Sequence, residues 1–144
     1  MGASSRFLAR RAPALTDRRG FGPGVLKGIV MDKAAYLFVA SMDVDPAFED
    51  LFNEVYDTDH IPHLLSVPGV RSARRMKGVP FRFAIAGGEK DMPSPSPAYS
   101  AIFEIDAPEI LSSPAWAKAV EQGRWATEVR QHTRNRTHFV YRLA

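Results

Sequence analysis

Residues 56–60, Tyr-Asp-Thr-Asp-His, place a phenol, two carboxylates and an imidazole within a few residues of one another. Such groups around a concave space can move protons on a bound molecule. They follow Phe48, Leu51, Phe52, Val55 and Tyr56, whose i, i+3, i+4, i+7, i+8 spacing is the stripe of an amphipathic helix. Turning about 100° per residue from Phe48, Phe52 falls at about 40°, Tyr56 at about 80°, Asp59 at about 20° and His60 at about 120°. Asp59 thus stands where the stripe calls for Leu, with Tyr56 and His60 at its edge. A carboxylate there must be paired, solvated by a cavity or raised in pKa. The alternative is a helix that frays at Asp57, with Asp59 turned outward to hydrogen-bond a loop.

Pro62 disfavours helical geometry at Ile61, so the helix is expected to stop near Asp59 or His60. A helix C-terminus stabilises imidazolium, which predicts a raised pKa for His60 and suits a group titrating near neutrality. Capping of the last carbonyls is the competing role for this side chain. His60 and His63, with Asp57 and Asp59 nearby, have metal-ligand types, but Pro62 breaks the helical geometry that aims both rings at one ion. No metal is expected.

Arginines offer a second chemistry. Arg71, Arg74 and Arg75 lie on one strand-like segment, and alternation sends Arg74 to the face opposite the other two. Arg124, Arg130, Arg134 and Arg136 precede the last strand and could hold a carboxylate or an enolate-like oxygen, or else form a solvated rim or dimer salt bridges. His132 and His138 carry no local partner pattern. Tyr36, Trp116 and Trp125 read as core or pocket wall, because the aromatic–basic interleaving of a nucleic-acid surface is missing.

The elements that must position these groups follow from patterning. Ala35–Met42 is apolar on both alternating faces and reads as a central strand covered on two sides. Asp45 and Pro46 supply an N-cap and a first helical residue. Pro68-Gly69 turns into a strand over Val70–Lys77, and Phe81–Ala86 extends it or belongs to a flap. Residues 87–98 are too rich in Gly, Pro and Ser for regular structure. Tyr99, Ala101, Phe103 and Ile105 alternate with Ser100, Ile102, Glu104 and Asp106 as a half-buried strand. Pro108 and Ser113-Pro114 open helices, Gly123 stops one, and Thr137–Leu143 is the last strand. The order β-α-β-β-α-β predicts an α+β sandwich with helices on one face of an antiparallel sheet. Its other face needs a cover, and a second copy of the sheet is the simplest one.

Composition sets the outer bounds. The chain has 144 residues, no cysteine, 45% hydrophobic residues and a net charge of +3. One core of ordinary size fits, while disulfide scaffolds, thiol catalysis and cysteine-ligated metals are excluded. The longest apolar run, Ala34–Ala40, falls far short of the roughly 20 residues that cross a bilayer. Arg6, Arg10, Arg11, Arg18, Arg19 and Lys27 against Asp17 put the positive charge in residues 1–30 and leave residues 31–144 at −2. Overall basicity is therefore no argument for nucleic-acid binding. Residues 1–33 read as a disordered or transit-like Arg-rich leader, with a true start at Met31 as the alternative, and residues 34–144 as the folded domain. A cytoplasmic location is expected, or organellar import if the leader acts as one.

The stretch FNEVYDTDHIPHLLSVPGVRSARR, residues 52–75, resembles the EthD-like branch of the dimeric α/β-barrel superfamily, in which a helix ends in a WYDxxHIP-type motif and a VPGV turn opens the next strand. SSPAW at 112–116 and WATEVRQHTRNR at 125–136 are similar to later parts of the same proteins. The resemblance covers most of residues 35–143. Val55 departs from it, standing where the pattern has Trp, so a pocket wall differs. The resemblance implies a ferredoxin-like fold that dimerises sheet to sheet into an α/β barrel. It also implies cofactor-independent acid/base chemistry on an aromatic, lactone or polyketide-like compound, as a lyase, isomerase or cofactor-free oxygenase. In that reading His60 is general acid or base, Tyr56 orients or donates to the substrate, and Asp59 sets the state of His60 or acts alone. Phe52, Val55, His63, Arg74 and Trp125 are the expected substrate contacts. A non-catalytic ligand-binding or stress-response module is the alternative. A haem-linked role is weaker, since His60, His63, His132 and His138 sit in no haem context.

Overall fold

Strand β2, Tyr36–Val44, is an interior strand of the sheet, as apolar side chains on both of its faces require. The computed structural model describes residues 7–9 and 35–144, so the leader expectations for residues 1–6 and 10–33 fall outside the described residues. Strand β1, Phe7–Ala9, pairs antiparallel with β3, Val70–Lys77. Strands β4, Phe81–Ile85, and β5, Gly88–Met92, form a separate hairpin. Strand β6, Tyr99–Ile105, lies between β2 and β3, and β7, Thr133–Arg142, runs along the far side of β2. The main sheet has the order β1-β3-β6-β2-β7, with every pairing antiparallel. β2 and β3 therefore run parallel with β6 between them, the split β-α-β arrangement of a ferredoxin-like α+β sandwich.

Two strand expectations are corrected. Residues 87–98 are not wholly irregular. Ala86 and Gly87 both have positive φ, 54° and 79°, in a two-residue turn whose twist lets β5 close on β4. β7 starts at Thr133 rather than Thr137, because a register shift opposite Ser41–Asp43 and the left-handed Asn135 let pairing continue to Val44. Asp43 holds that irregularity by accepting hydrogen bonds from Asn135 Nδ2 and the Ala98 N–H, both at 2.8 Å. These bonds keep its carboxyl below its ordinary pKa, the Asn135 bond contributing most.

The first helical layer starts as expected. Asp45 accepts the Ala47 N–H at 3.1 Å, Pro46 opens a 3-10 turn at Pro46–Phe48, and α1, Glu49–Val55, follows. It does not stop at Asp59 or His60. The chain passes through a π turn, Tyr56–His60, into α2, Ile61–Leu65, and the Ile61 N–H bonds Tyr56 O across the wider ring. Pro62 follows directly on the wide ring, in the first turn of α2, and the chain continues helically past it. In the second layer, a 3-10 turn at Pro108–Ser112 precedes Ser113, whose Oγ accepts the Trp116 N–H at 3.2 Å and caps α3, Pro114–Ala119. A second π turn, Trp125–Val129, and a 3-10 turn, Arg130–His132, lead into β7. Among the described residues no helix is long and apolar enough to cross a membrane.

The core fills the space between both layers and one sheet face. Alternation puts Tyr99, Ala101, Phe103 and Ile105 of β6 into it, under Phe52, Val55 and Ile61. One cation is buried with them. Arg75 is 3% exposed and donates to Asp57 at 2.9 Å and to Asn53 Oδ1 at 2.8 Å. Its guanidinium carbon lies 4.4 Å from the ring centre of Tyr56, 5.1 Å from Phe52 and 5.6 Å from Tyr99. A desolvated cation on an aromatic face contributes about 2 kcal/mol, so Arg75 fastens β3 to α1 and the first π turn. Arg74 is exposed on the opposite face, as alternation predicts. Replacing Arg75 by Ala should cost about 3–5 kcal/mol in urea unfolding, because Asp57 is left partly buried without its partner. The double change Arg75→Met with Asp57→Asn should cost clearly less than Arg75→Ala alone.

Candidate functional site

Between the sheet and the helices the packing leaves a cavity of about 190 Å³. Phe38, Ala40 and Met42 of β2 and Phe103 of β6 form its floor, and Tyr56, His60 and Leu64 form one wall. Trp116, Val120 and Trp125 form the other wall, and Arg130 with Arg136 and His138 of the edge strand completes the lining. A dry apolar cavity of roughly 150 Å³ takes up benzene, so this space suits one substituted ring.

Two π turns build the polar part. A π turn closes on i→i+5 bonds, so each residue rotates the chain by less than the about 100° of an α-helix. His60 therefore lands nearer the middle of the apolar stripe than α geometry puts it, and Asp59 is left at its margin. Asp59 accepts the Arg124 N–H at 2.8 Å and lies 3.9 Å from His63 Nδ1. Gly123 makes this approach feasible: its φ is 71°, and a Cβ there would sit 2.1 Å from Asp59 Oδ2. The carboxylate thus pins the start of the second π turn beside the first. Trp125 stacks on His60 at 4.3 Å between centroids and 11° between planes, and Tyr56 meets the same imidazole edge-on at 5.4 Å.

Burial sets the protonation states. His60 is 5% exposed, and its Nδ1 is buried without a hydrogen-bond partner. Loss of solvation pushes its pKa down to about 3, the charge of Arg130 adds to the fall, and Asp59 opposes it. The expectation of a raised value is thus overturned. Its premise, a helix ending at His60, is absent, and desolvation penalises the imidazolium. Tyr56 is pushed up to about 12, again by burial, against the pull of Arg75. His138 is lowered, mainly by burial and then by Arg136. At neutral pH the wall carries an uncharged imidazole beside an un-ionised phenol, able to donate a hydrogen bond.

Of the residues singled out from sequence, Tyr56, His60, Trp116, Trp125, Arg130 and Arg136 line the cavity. Phe52 and Val55 are fully buried, with Phe52 packed against Tyr56 and Trp125. His63 is half-buried beside Asp59, and Arg74 lies on the far face of the sheet. Sequence reasoning did not place Phe38, Ala40, Met42, Leu64, Phe103 or His138 at the site. The signal for β2 was there, since Phe38, Ala40 and Met42 share one alternating face. The pairing of Ala40 with His138 becomes visible only in the register.

Strand order and crossovers define the chain as a ferredoxin-like α+β domain with an aromatic pocket between sheet and helices. No protein-family model and no curated relative matches the sequence. Among solved structures the chain is similar to an EthD family protein from Bacillus halodurans, at 14% identity and a TM-score of 0.48, covering 76% of this chain and 99% of that one. The fold class stands on the topology itself.

The depressed pKa of His60 has a measurable sign. Below about pH 6.5 the unfolded chain binds a proton at this residue that the folded chain refuses until about pH 3. Stability is therefore highest above pH 6.5 and falls through that window by up to about 1.4 kcal/mol per pH unit. Urea unfolding between pH 7 and 3.5 should show a shallower decline for His60→Gln than for the parent protein. Parallel curves would contradict a neutral buried imidazole.

Proposed function

We propose that the protein binds a compact, largely apolar organic molecule in this cavity and performs cofactor-independent acid/base chemistry on it. The observation that carries the reading is the neutral His60 ring, clamped between Trp125 and Tyr56 on the wall of a single-ring-sized space. An imidazole kept unprotonated by burial can take a proton from a carbon or hydroxyl only where the negative charge developing on a bound ligand offsets the desolvation that disfavours imidazolium, and the phenol beside it can stabilise the oxygen that gains charge. His60 is the general base in this reading, Tyr56 the donor, and Asp59 a positioning residue that holds the Trp125 loop. Aromatic, lactone and polyketide-like compounds of one ring are the ligand class. Lyase, isomerase and cofactor-free oxygenase reactions can each begin with such a proton transfer.

A non-catalytic ligand-binding module is the second reading. It is favoured by the engagement of Asp59 with the Arg124 N–H, which leaves His60 without the orienting carboxylate that many catalytic bases have. The homodimer belongs to the proposal as well. On the sheet face away from the helices, register places Leu37 beside Tyr141, and Val39 beside Phe139 and Ile102. Phe139 and Tyr141 are each 55% exposed. A second copy packed there would remove this apolar surface from water.

Trp116 and Trp125 make binding visible by fluorescence. A screen of single-ring aromatic acids, phenols and lactones should find one class that quenches emission and raises the melting temperature, with both effects lost in His60→Ala. Turnover of a ligand of that class should fall about 100-fold or more in His60→Ala if the site is catalytic. Tight binding with no conversion would select the second reading. In sedimentation experiments the parent chain should run as a dimer at micromolar concentration, and Val39→Glu should run as a monomer.

A further inference from the structure

Resting on the pocket reading above, we infer that the ligand is an organic anion, a single ring bearing one carboxylate, and that Arg136 receives that carboxylate. The cavity lining contains no acidic side chain but two arginines, Arg130 and Arg136. Their situations differ. Arg130 is already neutralised, bonding both Glu121 oxygens at 2.9 and 3.1 Å and the Val120 carbonyl at 3.0 Å. Arg136 has no carboxylate or hydrogen-bond partner among the described residues.

The other polar groups leave that charge uncompensated. His60 is uncharged at neutral pH and Tyr56 remains a phenol. His138, two residues along the same strand, is held towards its neutral form by burial and by Arg136 itself. The site therefore carries one net positive charge on its edge-strand side, beside an apolar floor of Phe38 and Phe103. Arg136 is exposed at the rim of the cavity, where an unpaired guanidinium favours a planar carboxylate that it can grip with two N–H groups. The ring of such a ligand would lie on the aromatic floor, and its carboxylate would face β7.

Benzoate and its neutral isostere benzamide separate charge from shape. With the full chain at low salt, quenching of Trp116 and Trp125 should give benzoate an affinity about tenfold above that of benzamide. That preference should shrink as salt is added. Arg136→Gln should bring benzoate down to the affinity of benzamide, and Arg136→Lys should keep most of the preference. Arg82→Gln, on the separate hairpin, should alter neither affinity. Equal affinities in the parent chain, or a preference that survives in Arg136→Gln, would overturn the inference and leave the pocket reading standing. Absence of binding by both compounds would overturn the two together.

Discussion

A buried cation organises the helical side of this protein. Removing a guanidinium from water is costly, and the cost is offset only where charge, hydrogen bonds and aromatic faces converge. Arg75 has all three, in Asp57, Asn53 and the rings of Phe52, Tyr56 and Tyr99. Arg75 itself stands on β3, and these partners come from α1, the first π turn and β6. Satisfying one side chain therefore fixes how the first helical layer sits on the sheet, and with it the position of Tyr56. The pocket wall inherits its geometry from that requirement.

The second organising contact is the meeting of two π turns. Either turn alone would be a local irregularity, and such irregularities are frequent where side chains must be aimed. Here each aims an aromatic group at the other, Tyr56 and His60 from one side and Trp125 from the opposite side. Asp59 closes the arrangement through the Arg124 N–H, a contact that Gly123 permits by lacking a Cβ. The acid in the motif thus does architectural work one layer behind the imidazole. This explains how a chain with several ionisable groups in one short stretch presents a neutral face to its cavity.

Legibility in the sequence followed the range of the interactions. The strands at Val70–Lys77 and Tyr99–Ile105, the Asp45 and Ser113 caps and the amphipathic stripe from Phe48 all depend on neighbours within a few residues. The hairpin at Phe81–Met92 was missed because its turn uses Ala86 at positive φ, a conformation that composition argues against. The early end assigned to the first helix treated Pro62 as a stop, and a π turn removed the conflict. The site was half legible: Tyr56, His60 and Trp125 were named, whereas Phe38, Phe103 and His138 enter through strand pairing.

By itself the sequence determined the α+β order, the faces of the central strands and the presence of proton-handling groups at residues 56–60, because periodicity and capping are encoded locally. Only the tertiary structure decided which of those groups meet a cavity and in what protonation state. A pKa depends on the solvent and charge that surround a group in three dimensions, and for His60 those surroundings are Trp125, Arg130 and Asp59. Two of the three lie more than sixty residues away along the chain, so the register of the fold, rather than the motif, turned a histidine expected to titrate near neutrality into one held neutral.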